Sequence, residues 1–86
     1  MDIGIYRSFI EMYVKEALEN SDRTNAGISE YLHSLKESGR FTSHRAERNL
    51  ALAEVRKAFD DHRHWPLSII LSFLGIENKE LTTKKG

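Results

Sequence analysis

The chain of 86 residues has no cysteine, a single proline and no net formal charge. Without cysteine, neither a disulfide nor a thiolate metal centre can reinforce the core, so packing or self-association must stabilise it, and a reducing, cytoplasmic setting is expected. No apolar run approaches the roughly 20 residues of a membrane-crossing helix. The opening MDIGIYRSF places an acid where a secretory signal carries positive charge, so neither export nor membrane insertion is expected.

Catalytic signatures are absent as well. There is no thiol nucleophile, no glycine elbow around a serine, no phosphate loop and no dinucleotide fingerprint. A chain of this length buries only roughly 60% of the surface its unfolded form exposes, which leaves little room for a wide cleft. An enzyme is not expected, and no cofactor is implied. The balanced charge also argues against the strongly basic face of a dedicated nucleic-acid binder and leaves room only for a local basic patch. Its placement is uneven, however: residues 1–39 carry seven acids against four bases, and residues 40–86 nine bases against six acids.

What is present is helical periodicity. Ile3, Tyr6, Ile10, Tyr13 and Ala17 recur at three and four, predicting a helix over about 3–19. Ile5, Phe9, Met12, Val14 and Leu18 widen its apolar arc to roughly 200°, about twice what one core requires, so this helix is expected to touch more than one partner. Glu11, Glu16 and Glu19 fall on its polar side. NSDRTNAG then reads as a loop in which Thr24 or Asn25 caps the next helix, over about 26–38, with Ile28, Tyr31, Leu32 and Leu35 as its stripe and Gly39 as its C-terminal cap. Phe41 and Thr42 read as the staple and cap of a third helix, over about 43–62, with Phe41 folding over Ala46. Its main stripe is Ala51, Leu52, Val55, Ala58 and Phe59, and Ala46, Leu50 and Ala53 form a second face of small and apolar residues.

In PLSIILSFLG, Pro66 opens and Gly75 closes a fourth helix over about 66–74. Apolar residues point in every direction around it, leaving only the seam of Ser68 and Ser72, so burial all round is predicted. A second copy of the chain is the simplest cover. Residues 77–86 are expected to form a polar, partly mobile tail. The predicted fold is all-α, a small four-helix domain completed by homo-oligomerisation as a dimer or tetramer.

The segment DDHRHWP, residues 60–66, holds metal-ligand types in Asp60, Asp61, His62 and His64. A metal-dependent site would need converging ligands from elsewhere, and His33 and His44 sit beside different helix ends. The simpler reading is a helix terminus, where cationic side chains meet the negative end of the dipole and Trp65-Pro66 launches the next helix. No metal is expected.

Arg40, His44, Arg45 and Arg48 place positive charge at the start of the third helix, where the macrodipole disfavours it. Contact with phosphate or an acidic partner is one explanation, and pairing with Glu37 and Glu47 the other. A helix-turn-helix fits poorly, because Arg45 and Arg48 stand where a recognition helix needs apolar anchors. The more prominent surplus is apolar. Ile5, Tyr6, Phe9, Met12, Tyr13, Trp65, Ile69, Ile70 and Phe73 are the candidate oligomer or partner interface, since aromatic side chains anchor such surfaces.

With MDIGIYRSFIEMYVKEAL as an interaction helix and WPLSIILSFLG as a buried one, the chain resembles the small all-helical antirepressors of temperate phages. That resemblance implies an oligomer that binds a transcriptional repressor and releases it from operator DNA. The alternative is a small nucleic-acid-binding regulator that uses Arg40, Arg45 and Arg48.

Overall fold

The helical periodicity resolves into four helices in a computed structural model that describes residues 2–35 and 43–76: α1 (Ile3–Glu19), α2 (Asn25–Ser34), α3 (Arg45–Asp61) and α4 (Leu67–Phe73). Among the described residues there is no strand. No described helix is long and apolar enough to cross a membrane. Gly39, Arg40, Phe41 and Thr42, and the tail from residue 77, lie outside the described residues.

α1 starts at Asp2, whose side chain accepts from the Ile5 N–H at 3.2 Å, while its own N–H donates to Glu47 Oε2 at 2.8 Å. One residue therefore satisfies a free donor of α1 and fastens that end to α3. α1 packs chiefly on α3, and α2 lies mainly on α3 as well. Ile10, Val14, Ala17 and Leu18 of α1 meet Ile28 and Leu32 of α2 and the expected α3 stripe of Ala51, Leu52, Val55, Ala58 and Phe59 in one core. Phe59, Ile28, Leu32 and Val14 are fully buried, each worth about 1.5–3 kcal/mol relative to exposure.

Two helix boundaries differ from the sequence expectation. α2 stops at Ser34, about four residues early, and Leu35 is already extended at φ −73° and ψ 136°. The reason is long-range. Arg56 of α3 donates Nε to the Leu32 carbonyl at 3.0 Å and Nη2 to the Leu35 carbonyl at 2.7 Å, taking up helix-end acceptors that a glycine cap was expected to handle. α3 begins at Arg45, with His44 in the left-handed region at φ 55° and no side-chain cap. Ala46 is exposed, as are Leu50 and Ala53, so the second face of α3 meets solvent in the single chain.

α4 has seven residues, too few to persist alone. Pro66 precedes it, and Gly75 at φ 81° ends it with two bonds, Ile76 N–H to Leu71 carbonyl at 2.8 Å and Gly75 N–H to Ser72 carbonyl at 2.9 Å. This pair is the Schellman arrangement, sealed by the apolar contact partners Leu71 and Ile76, both buried. Arg7 Nη2 of α1 donates to the Gly75 carbonyl at 3.1 Å. Burial all round is not what a single chain achieves: Ile70, Leu71 and Leu74 are buried, while Ser68, Ile69, Ser72 and Phe73 form an exposed strip.

Candidate functional site

The turn joining α3 to α4 is where DDHRHWP lies, and it is an aromatic corner. His62 ends α3, donating its N–H to the Ala58 carbonyl at 3.1 Å and accepting from the Trp65 N–H at 2.9 Å. That tight turn brings the imidazole flat against the indole, with centroids 3.7 Å apart and planes 12° from parallel. Phe73, two turns along α4, presents an edge-to-face relation to both rings, at 5.0 Å from His62 and 5.7 Å from Trp65. Aromatic pairs prefer such offset and perpendicular arrangements. His62 and Trp65 are half-buried, Phe73 is 58% exposed, and Ile69, one turn before Phe73, is 48% exposed. The result is an apolar face supported on one side by the core.

The other interface candidates divide. Met12 is exposed, and Ile5, Tyr6 and Phe9 are half-buried along α1. Phe9 stacks with Tyr13 at 6.3 Å. Tyr13 and Ile70 do not belong to a surface. They are 7% and 0% exposed and sit in the core, because α1 and α4 each turn that side toward α3.

The basic group at the start of α3 also divides. Arg40 is outside the described residues, and His44 and Arg45 are exposed. Arg48 is buried, donating Nη2 to the Ser43 carbonyl at 2.6 Å and lying 5.9 Å above the Phe9 ring. The stem of Arg48 is buried while Nη2 is taken up by the Ser43 carbonyl, so Arg48 works in the packing and does not stand outward as a contact for anions. Glu47 beside it is buried too. The Asp2 N–H holds its carboxyl below the usual range, with its own backbone N–H and the charge of His44 in support and burial opposing.

One polar cluster escaped the sequence reading. Asp60 accepts from Ser29 Oγ on one oxygen at 2.6 Å and from His33 Nε2 on the other at 2.7 Å. Burial alone raises the Asp60 carboxyl, but the Ser29 and His33 hydrogen bonds, with the charges of His33 and Arg63, hold it below its ordinary value. The signal was available as Ser29 and His33 at i, i+4 on α2, but nothing local pairs them with an acid 27 to 31 positions away. The residue types match a hydrolase triad; the connectivity does not. Serine and imidazole each bind the carboxylate, and the imidazole takes no proton from the hydroxyl, so the cluster is a clasp between α2 and α3.

Among the described residues, no three His, Asp or Glu side chains converge as a metal site. An open depression of about 400 Å³ beside the α1–α2 loop is lined by Asn20, Asp22, Gly27, Glu30, Tyr31 and Ser34. Asp22 there is committed to the loop, accepting from Thr24 N–H at 3.0 Å and Thr24 Oγ at 2.7 Å, bonds that lower its pKa. No family model, no curated protein and no solved structure matches the chain.

Proposed function

We propose that this chain works by binding protein, through the aromatic corner and the exposed strip of α4, and that it also pairs with copies of itself there. The observation that carries the reading is the placement of Ile69 and Phe73, both exposed one turn apart on α4, with Phe73 edge-on to the His62–Trp65 stack. Apolar side chains left in water next to a rigid, core-supported ring pair offer area for desolvation at little ordering cost. The half-buried Tyr6 and Phe9 and the exposed Met12 offer a second such surface on α1.

In keeping with the resemblance to phage antirepressors, the partner we propose is a DNA-binding repressor. Release from the operator then requires tighter binding to the DNA-free repressor than to the bound form, since only that difference shifts the equilibrium. A direct nucleic-acid reading has less support, because Arg48, one of its three arginines, is engaged inside the fold.

The test is affinity capture with the tagged chain from cells that express it naturally, run beside an Ile69→Asp/Phe73→Asp variant. The expected result is a repressor retained by the wild type alone, and loss of the repressor–operator band in a mobility shift when the purified chain is added. Equal capture by both proteins, or an unchanged band, sinks the reading.

A further inference from the structure

The corner that carries the exposed face is held from outside by a side chain of α2. Asn25, the first residue of α2, donates Nδ2 to the Arg63 carbonyl at 2.9 Å and to the Trp65 carbonyl at 2.7 Å. Both neighbours are acceptors, so only the NH₂ end of the amide fits there, and both of its hydrogens are used. The carbonyls belong to the irregular turn between α3 and α4, where no helical partner is available to them. Asn25 is itself fixed, because Thr24 beside it caps α2 by accepting from the Gly27 N–H at 3.0 Å and is tied to Asp22 at 2.7 Å.

We infer that Asn25 is the positioning residue of the aromatic face. By gripping the carbonyls of residues 63 and 65 it sets where Trp65 stands, and hence whether His62 can lie flat on it and Phe73 can meet both rings. The role is separate from holding α4 in place, which falls to the buried Ile70, Leu71 and Leu74 and to the Arg7–Gly75 bond. The consequence is a mechanical link from the α1–α2 loop, where Asn25 is anchored, to a surface on another helix. The inference rests on the protein-binding reading only for what the face is used for.

Trp65 is the only tryptophan, so its fluorescence reports the corner directly. Asn25→Asp keeps the shape, removes both donors and places negative charge in the first turn of α2, where the dipole favours it. Asn25→Leu removes the donors without charge. Both are expected to shift Trp65 emission to the red and to increase its quenching by acrylamide, with helical circular dichroism unchanged. Asn25→Gln, which retains the amide, recovers part of the signal. Arg56→Ala, which breaks the α2–α3 bonds at the far end of α2 and leaves Asn25 and its cap in place, lowers the unfolding midpoint while native emission stays as in the wild type.

Wild-type emission and quenching in both Asn25→Asp and Asn25→Leu overturn the inference. So does an equal red shift in Arg56→Ala, which assigns the effect to α2 docking in general, or loss of helical signal in both Asn25 variants, which makes the residue a folding determinant. A wild-type chain that captures no partner ends the protein-binding reading but leaves these optical results standing.

Discussion

The imidazole of His62 rests parallel on the indole of Trp65 with ring centroids 3.7 Å apart. The two histidines of this segment are thereby separated in role, for His62 is part of the aromatic corner and His64 is exposed beside it. Trp65→Ala removes the stack, the Phe73 contact and packing on the core, and is expected to cost roughly 2–4 kcal/mol, at the low end of tryptophan truncations because the ring is half-buried. His62→Ala loses the aromatic pairing, about 1 kcal/mol. His64→Ala changes stability by less than about 0.5 kcal/mol. Urea denaturation of the three variants checks the ranking, and equal effects of the two histidines would falsify it.

Arg56 offers a second test, since it ends α2 from another helix. Arg56→Ala leaves the Leu32 and Leu35 carbonyls without their guanidinium donors and is expected to cost about 2 kcal/mol, in the range of hydrogen bonds to charged groups. Arg56→Lys recovers less than half, because an ammonium cannot reproduce the two-pronged geometry. Hydrogen exchange should show the loss first in the last turn of α2. If exchange there is unchanged in Arg56→Ala, the helix end is set by something else.

These two cases mark what could be read in the sequence and what could not. The caps of α4, Pro66 and Gly75, and the α3 stripe were legible because turn chemistry and helical period are local. The end of α2 was not, since the deciding group lies 21 to 24 residues away. Arg48 looked outward because charge predicts exposure, yet its head finds the Ser43 carbonyl while its stem packs. Within α4 the only phase the sequence offered was the narrow seam of Ser68 and Ser72, and both serines do lie on the exposed strip. So narrow a seam did not show that Ile69 and Phe73 beside it stay in solvent while Ile70 faces the core, an orientation held by the corner at Trp65 and the anchor at Ile76.

Acid should weaken the fold through three carboxylates. Asp22, Glu47 and Asp60 all have folded-state pKa values below their ordinary 3.8, 4.5 and 3.8. The unfolded chain therefore binds more protons than the folded one in this range, so stability rises with pH. Their contribution is complete above about pH 5 and is lost as pH falls from there through the lowered folded values. Urea midpoints between pH 7 and pH 2.5 should fall accordingly. Asp60→Asn should lower the midpoint at pH 7, by removing an acceptor from Ser29 and His33, and should flatten the acid slope. A slope as steep as the wild type's would clear Asp60 of any part in it.

Neighbouring residues of α4 provide the sharpest separation of core from surface. Ile70 is fully buried, and Ile70→Ala is expected to cost about 2–5 kcal/mol with a matching fall in the urea midpoint. Phe73 is 58% exposed, and its contacts are edge-on to two rings that stay supported without it, so Phe73→Asp should cost no more than about 1.5 kcal/mol. Self-association should respond in the opposite order. A carboxylate at position 73 would be desolvated in any interface formed on this strip, a penalty large enough to abolish pairing. Sedimentation equilibrium of the wild type should show mass rising with concentration, and Phe73→Asp should remain monomeric while keeping its helical signal. A wild-type chain that is monomeric at every concentration rules out pairing through α4. A Phe73→Asp protein that still associates moves the contact to Met12 and its half-buried neighbours Ile5 and Phe9 on α1.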